Sequence, residues 1–398
     1  MATLSGTLAL YLLLKSPKEV WFWVGFFIGI FWFWWISVSF IHYKMTWAIP
    51  IVVLALALLY GFIFLAIALL SEKISKVFSK MGWNLQKGAQ KKKNPTLSVL
   101  LLRSVGLLAF SYIHPFGFDW FKPELMFVNS YFGIEKWQFA IILISITLTI
   151  WKKNFFFLFL LLLAYQNSDI KSTLETPKYM QLVNTHTTVE EKWNEKLQGN
   201  QAKNIFKTID EAIASKKSLI IFPESIFPIY LSRNQILMSK LKERAKKISI
   251  VIGGLYWDGE TPHNSTYVFT KEKLQIANKV KLVPFGESNP LPDFLSDWVN
   301  KVFYDGAVDY KASKDISDYV IDGRVYRNAI CFEATSEELY EGEPKEMIVL
   351  SNNGWFTPSI EPTLQKLLLI YYSRKYGTTI YHSVNMSDSY VVQNTSLK

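Results

Sequence analysis

The sequence predicts an α/β protein in two parts: a polytopic transmembrane helical domain over residues 1–165 and a layered α/β domain over residues 166–398. Three observations carry that reading. Apolar residues make up 50% of the chain and aromatic residues 16%, and long uncharged runs follow one another before residue 165. The net charge of +10 is placed unevenly: residues 166–398 hold 28 basic and 28 acidic side chains, so the excess falls upstream, mostly between apolar runs. Beyond residue 180, strand-length apolar runs alternate with amphipathic charged stretches, the pattern of a layered α/β fold. This charge map excludes a nucleic-acid face and fits basic loops on the inner side of a membrane.

The apolar runs come in order. Leu8–Leu14 is too short to cross a bilayer and reads as a partial span. Val20–Phe40 and Trp47–Leu70 are uncharged. At about 1.5 Å per residue, about 20 residues cross a hydrocarbon core of about 30 Å. Leu97–Ile113 is the third span, with Arg103 expected to snorkel to the interface. Trp137–Trp151 and the marginal Phe155–Tyr165 complete five spans. Core helices of a soluble protein would not present several such runs in series.

Glu72–Thr96 carries seven lysines against one acid, and Lys15, Lys18, Lys152 and Lys153 flank other spans. These sites are expected on the cytoplasmic side, which leaves the chain beyond Tyr165 on the outer side. A cleaved signal peptide is not expected, because no basic segment follows Met1 and no small-residue site closes the first apolar run. His114–Trp120 reads either as an interfacial aromatic turn or as a wall of a lipid entry site. Spans nearly free of charge argue against a transport path.

In the second part the expected strands are Met180–Val183, Ser218–Phe222, Ile248–Ile252, Ser265–Phe269, Val325–Cys331, Met347–Leu350 and Thr378–Val384. The expected helices are Asn204–Ser215, Arg233–Lys247 and Pro362–Tyr376. Glu224 and Cys331 each end a strand-forming run, where active sites of α/β folds collect. One cysteine allows no intramolecular disulfide. The sequence offers no glycine-rich phosphate loop and no metal-ligand cluster, so no cofactor or metal is expected.

Three islands carry the chemistry: Phe222-Pro223-Glu224-Ser225, Lys279-Val280-Lys281-Leu282-Val283-Pro284-Phe285-Gly286-Glu287, and Cys331-Phe332-Glu333. Alone, a cysteine is usually a small buried hydrophobe, and a lone Glu or Lys is usually on the surface. Together they make a nucleophilic centre. A thiol attacks as thiolate, which a nearby base generates and a nearby cation favours. A lysine and a backbone N–H after the cysteine can hold the oxyanion.

These islands resemble the Glu-Lys-Cys triad of the nitrilase (carbon–nitrogen hydrolase) superfamily. The Pro-Phe-Gly-Glu extension and the preceding helices resemble the apolipoprotein N-acyltransferase family. Gly253-Gly254, Asn264-Ser265 and Ser351-Asn352-Asn353-Gly354-Trp355-Phe356 add to the likeness, which covers roughly Val20–Tyr390. The resemblance implies a nitrilase-like αββα sandwich and a triad of Glu224, Lys279 and Cys331. Lys279 stands eight positions before Glu287, as the family's triad lysine does, and Lys281 reads as a solvated strand residue. Glu287 and Glu333 are implied as supporting carboxylates, Phe332 as an oxyanion N–H donor, and Trp355, Asn264 and Trp298 as substrate-pocket candidates.

The implied reaction moves an acyl chain from a membrane phospholipid, through a Cys331 thioester, to the α-amino group of a diacylglyceryl-cysteine on an apolipoprotein. The implied place is the bacterial inner membrane, with the catalytic domain periplasmic. The alternative is a membrane-tethered amidase or nitrilase acting on a small C–N substrate. The apolar stretch Pro290–Leu295, with Trp298 and Phe303, favours the lipid reading as a membrane-touching lid. A third reading, a membrane protein with a silent enzyme domain, is disfavoured by the presence of all three triad types. The family usually has about eight membrane helices, one of them after the catalytic domain. Five spans and an end at Lys398 point to a compact variant or a shortened chain.

Overall fold

The computed structural model describes residues 1–81, 95–166, 170–271, 273–284, 286–288 and 310–394. The chain falls into two units, Met1–Ser168 and Asp169–Lys398. The expected lid at Pro290–Leu295, Trp298 and Phe303 lies outside the described residues.

The first unit is helical. Its α-helices are α1 (Ala2–Lys15), α2 (Lys18–Phe33), α3 (Ile49–Lys80), α4 (Leu97–Phe110) and α5 (Lys136–Lys152). Local chemistry sets several ends. Pro50 sits in the first turn of α3, where its missing N–H costs nothing. Thr96 Oγ1 accepts from Val99 N to cap α4, and Glu135 with Gln138 forms a capping box on α5. The α2–α3 pair packs through small residues. A Cβ on Gly25 would stand 2.3 Å from the Tyr60 carbonyl oxygen, and one on Gly29 would stand 2.5 Å from that of Leu56. Such close backbone approach is how helices associate where no hydrophobic effect drives them together. The stretches Lys18–Ile41 and Thr46–Lys80 are long and apolar enough to cross a membrane.

Two expectations change here. The partial span Leu8–Leu14 belongs to the longer helix α1. Phe155–Ala164 is a 3-10 helix, as is Trp34–Ile41 at the end of the first long run. Arg103, expected to snorkel, is 2% exposed and reaches toward the end of α1, beside Lys15 and Lys18. Its Nη1 donates to the carbonyls of Leu14 (3.0 Å) and Ser16 (2.7 Å), and its Nη2 lies 3.5 Å from Glu72. The open C-terminal carbonyls of α1 supply the acceptors that the guanidinium needs.

The second unit holds two six-stranded sheets. Its elements, in chain order, are β1 (Ile170–Leu174), β2 (Met180–Leu182), α6 (Val189–Lys192), α7 (Glu195–Ala214), β3 (Leu219–Ile221), β4 (Phe227–Tyr230), α8 (Gln235–Arg244), β5 (Ser249–Trp257), β6 (Pro262–Thr270), β7 (Lys273–Asn278), β8 (Asp318–Ile321), β9 (Arg324–Ile330), β10 (Glu346–Asn352), α9 (Glu361–Tyr376), β11 (Thr379–Asn385) and β12 (Tyr390–Asn394).

One sheet runs β2-β3-β5-β6-β7, with β4 beside β5; the other runs β1-β12-β11-β10-β9-β8. The neighbours β2, β3 and β5 are parallel, as are β9, β10 and β11. Leu219, Ile221, Val251 and Val268 of the first sheet share one core with Tyr326, Ile348, Leu350 and Tyr381 of the second. Each such aliphatic side chain contributes about 1.5–3 kcal/mol on burial. The outer face of the first sheet is covered by α7 and α8, through Ile209, Leu241, Ile250 and Tyr267. Helix α9 packs on β11 and β12 of the second sheet. The layers are therefore αββα.

All seven expected strands are present with shifted ends. Strands β1, β4, β7, β8 and β12 go beyond the sequence reading. Sheet-edge strands such as β7 and β8 bury alternate or few positions and carry charge, so their apolar runs are broken. Lys281, expected on a strand, lies in a bend after β7.

Candidate active site

Both sheets aim the carboxyl ends of their parallel strands at one place. Glu224 follows β3, and Cys331 directly follows β9. Two residues here have left-handed backbone conformations, Ser225 at φ 48° and Cys331 at φ 53°. A non-glycine residue held there costs about 1–3 kcal/mol, so the surrounding contacts must impose it. Gly253 makes the turn after Glu224 possible: a Cβ there would stand 2.5 Å from Ser225 N and 2.8 Å from Glu224 Cα.

Asn264 joins the next two groups. It sits on β6, 3% exposed, and its Nδ2 donates to Glu224 Oε1 (2.8 Å) and to Glu287 Oε1 (2.7 Å). Its backbone carbonyl accepts from Lys279 N at 2.9 Å, just past the end of β7. Lys279 Nζ then lies 2.7 Å from Glu287 Oε2 and 3.7 Å from Glu224 Oε1, with 1% of the side chain exposed. Asn264, expected as a pocket residue, thus stands as a bracket between two carboxylates.

Glu333 ties this assembly to the cysteine strand. Its Oε2 accepts from the backbone N–H groups of Val280 (2.7 Å) and Lys281 (3.1 Å), and its Oε1 accepts from that of Ile330 (2.7 Å). One carboxylate therefore spans the loop that carries Lys279 and the strand that ends at Cys331. Phe332 follows the cysteine, buried, in the 3-10 helix Cys331–Thr335. Trp355 lies half-buried in the 3-10 helix after β10. Trp298 lies outside the described residues.

Electrostatics follows from burial and neighbours. Burial pushes the Cys331 thiol well above its ordinary range; Glu224 adds to that and Lys279 opposes it. The proton therefore stays on sulfur until a base takes it. Burial also raises the Glu224 carboxyl, against the pull of Lys279. Burial works against the Lys279 ammonium, but Glu287, Glu224 and Cys331 outweigh it and hold the charge firmly. Burial lifts Glu333 to about 7, despite Lys279 and the three N–H donors. A buried carboxyl with a raised affinity for protons, beside a nucleophile and a fixed cation, suits proton transfer in covalent catalysis.

Several neighbours were not legible in the sequence. Lys192, at the end of α6, is 2% exposed, donates to the Glu224 carbonyl at 3.2 Å and is brought down to about 8 by burial. Gln365 on α9 points Nε2 at Cys331 Sγ (3.9 Å) and at Ser351 Oγ (3.4 Å). Ser351 in turn meets His382 Nε2 at 2.7 Å. Glu361, one helical turn before Gln365, is also buried. Lys192 stands in a charged run that looks solvated, and Glu361 at the start of a helix whose polar and apolar residues are intermixed, so no sequence signal marks either. Among the described residues no group of three or more His, Cys, Asp or Glu could hold a metal ion.

Comparison with known proteins adds the family context. The model of the apolipoprotein N-acyltransferase integral membrane domain matches residues 1–168. The chain is 38% identical over 396 residues to the apolipoprotein N-acyltransferase of Wolinella succinogenes, spanning 98% of this chain and 89% of that protein. It is 34% identical over 404 residues to that of Helicobacter pylori, spanning 100% and 88%. A CN-hydrolase superfamily protein from Xanthomonas campestris superposes with a TM-score of 0.42 at 13% identity, over 58% of this chain and 86% of that one.

Proposed function

Since this chain belongs to the apolipoprotein N-acyltransferase family, we propose that it N-acylates lipoproteins through a thioester on Cys331, with a membrane phospholipid as acyl donor. The observation that supports this most is the shared buried centre: Lys279 stands 3.7 Å from Glu224, and Glu333 ties the Lys279 loop to the strand that leads into Cys331.

In the first step Glu224 takes the thiol proton and the Cys331 sulfur attacks the ester carbonyl of the phospholipid. The Lys279 ammonium and the N–H of Phe332 stabilise the oxyanion. The C–O bond breaks, the proton passes to the departing alcohol oxygen, and a lysophospholipid leaves. In the second step the neutral α-amine of a diacylglyceryl-cysteine attacks the thioester carbonyl. The C–N bond forms, the C–S bond breaks, and the amine proton returns through Glu224 to sulfur. Glu287, Asn264 and Glu333 position Lys279 and Glu224. The integral membrane unit holds the chain in the bilayer that carries both lipids. The lysine-rich flanks of its spans favour the inner membrane, with the α/β unit on the periplasmic side.

The test is intact mass spectrometry of the full chain after incubation with phospholipid. The expected result is one acyl chain's mass on the native enzyme and none on Cys331→Ala, with lipoprotein acylation lost in the variant. Full activity in Cys331→Ala would sink the reading. Ammonia released from short amides, with no lysophospholipid, would favour the hydrolase instead.

A further inference from the structure

Two buried acceptor atoms beside Cys331 have no use in the mechanism above. Glu361 is 2% exposed, and its Oε2 has no hydrogen-bond partner among the described residues. Gln365 is 1% exposed; its Nε2 faces Cys331 Sγ and Ser351 Oγ, and its Oε1 is likewise without a partner. The two residues stand four apart on α9, so their side chains share a face. A carboxylate in a first turn favours a helix N-terminus. That role leaves an unpaired oxygen sealed from water, which is unfavourable unless a donor arrives.

The charge around these atoms points to the donor's sign. Among the described residues, Glu224, Glu287, Glu333 and Glu361 meet only two buried lysines, Lys279 and Lys192, at this centre. Lys279 is engaged by Glu287 and Glu224, and Lys192 by the Glu224 carbonyl. The Glu361 carboxyl makes no ion pair among the described residues, burial and the nearby Glu224 raise its affinity for protons, and an arriving ammonium favours its ionised form. A small group with several N–H donors and a positive charge satisfies both orphan acceptors and offsets the excess of acid.

We propose that Glu361 and Gln365 form the site for the acceptor's α-amino group, holding it beside the Cys331 thioester. This rests on the acyl-transfer reading and adds to it the groups that recognise the second substrate. Glu361 accepts from the ammonium, and Gln365 Oε1 accepts from a second N–H. The ammonium sheds one proton to water before attack. It loses the next as the C–N bond forms, and that proton travels through Glu224 to sulfur.

The experiment separates the two half-reactions in the full chain. Native enzyme and Glu361→Gln are first incubated with phospholipid and scored for the Cys331 thioester. They are then titrated with a synthetic diacylglyceryl-cysteinyl peptide. Equal thioester formation is expected, with the acceptor KM of Glu361→Gln raised about 10- to 100-fold, as for the loss of a charge-assisted hydrogen bond. An unchanged acceptor KM overturns the proposal, as does an equal loss of both half-reactions. Binding of the same peptide to Cys331→Ala, with and without Glu361→Gln, gives a readout that needs no thioester. The free-amine peptide should bind the double variant at least about tenfold more weakly, while its N-acetylated form binds both alike. Equal weakening of the two peptides overturns the proposal. A missing thioester in native enzyme sinks the acyl-enzyme reading, whereas this binding comparison still decides the amine site.

Discussion

The helical unit and the α/β unit both bury charge, but they close it differently. In the helical unit the buried charges described are met by opposite charges, hydroxyls or helix-end carbonyls, with Arg103 Nε alone of their atoms left without a hydrogen bond. Arg103 spans two helix-terminal carbonyls and Glu72. Glu124 is held by Ser111 and Lys136, and Asp119 by Lys122 and His114. Such sets pin helices together, and breaking one is costly because the remaining charge stays buried. At the centre of the α/β unit Glu224, Glu287, Glu333 and Glu361 meet only Lys279 and Lys192 among the described residues, and Glu361 keeps an oxygen without a hydrogen-bond partner. A stable fold does not need that arrangement, and the proposed proton transfer and amine site give it a use.

The comparison breaks first at Lys279. Lys279→Met should lower acyl transfer by about 10²- to 10³-fold, the scale of a lost oxyanion donor, and destabilise the unit by about 3–5 kcal/mol by stranding two carboxylates. Acylation kinetics and chemical denaturation of the same preparation check both. Near-native acylation would deny the lysine a role in the chemistry.

Glu333→Gln comes next. It replaces a carboxylate that holds three backbone N–H groups with a neutral amide that matches them poorly. Acyl transfer should fall about 10- to 100-fold, as for a loosened electrostatic clamp, while the folded fraction seen by circular dichroism persists.

Arg103→Met is the counterpart in the helical unit. It should cost about 1–3 kcal/mol in stability through the lost hydrogen bonds, with unchanged acylation per folded molecule. If specific activity dropped as steeply as for Lys279→Met, the division between pinning charges and working charges would fail.

The smallest expected effect is in pH dependence. Folded Glu333 keeps its proton up to about 7, whereas the unfolded carboxyl releases it near 4.5. Between those values the unfolded state binds fewer protons, so stability falls as pH rises. Glu361, lifted to about 8, extends the decline. The thermal midpoint should drop from pH 4.5 to 7, and Glu333→Gln should flatten that slope. A midpoint that rises across the window would contradict it.

Much of this was legible along the chain. Uncharged runs separated by lysines need no distant partner to declare a membrane unit, because bilayer thickness and loop charge act on local composition. Six of the seven expected strands, all but the antiparallel β6, pair with parallel neighbours, and parallel strands buried on both faces read as near-continuous apolar runs. The Phe-Pro-Glu-Ser, Pro-Phe-Gly-Glu and Cys-Phe-Glu islands singled out Glu224, Lys279 and Cys331 as candidates, since each is a rare polar residue beside a buried strand.

Tertiary structure decided the rest. Arg103 finds two carbonyl partners 87 and 89 residues away, which its sequence neighbours do not reveal. Asn264 looked like a pocket residue and became a bracket, because the β5–β6–β7 register sets it against two carboxylates. Lys192, Glu361 and Gln365 sit in charged or intermixed stretches, and only the closing of α6 and α9 over the strand ends makes them neighbours of Cys331. The sequence by itself determined which elements form and which residue types carry the chemistry, because hydrophobic periodicity is local. Which charges end up paired, and which stay open for a substrate, depends on contacts between distant segments that only the folded chain creates.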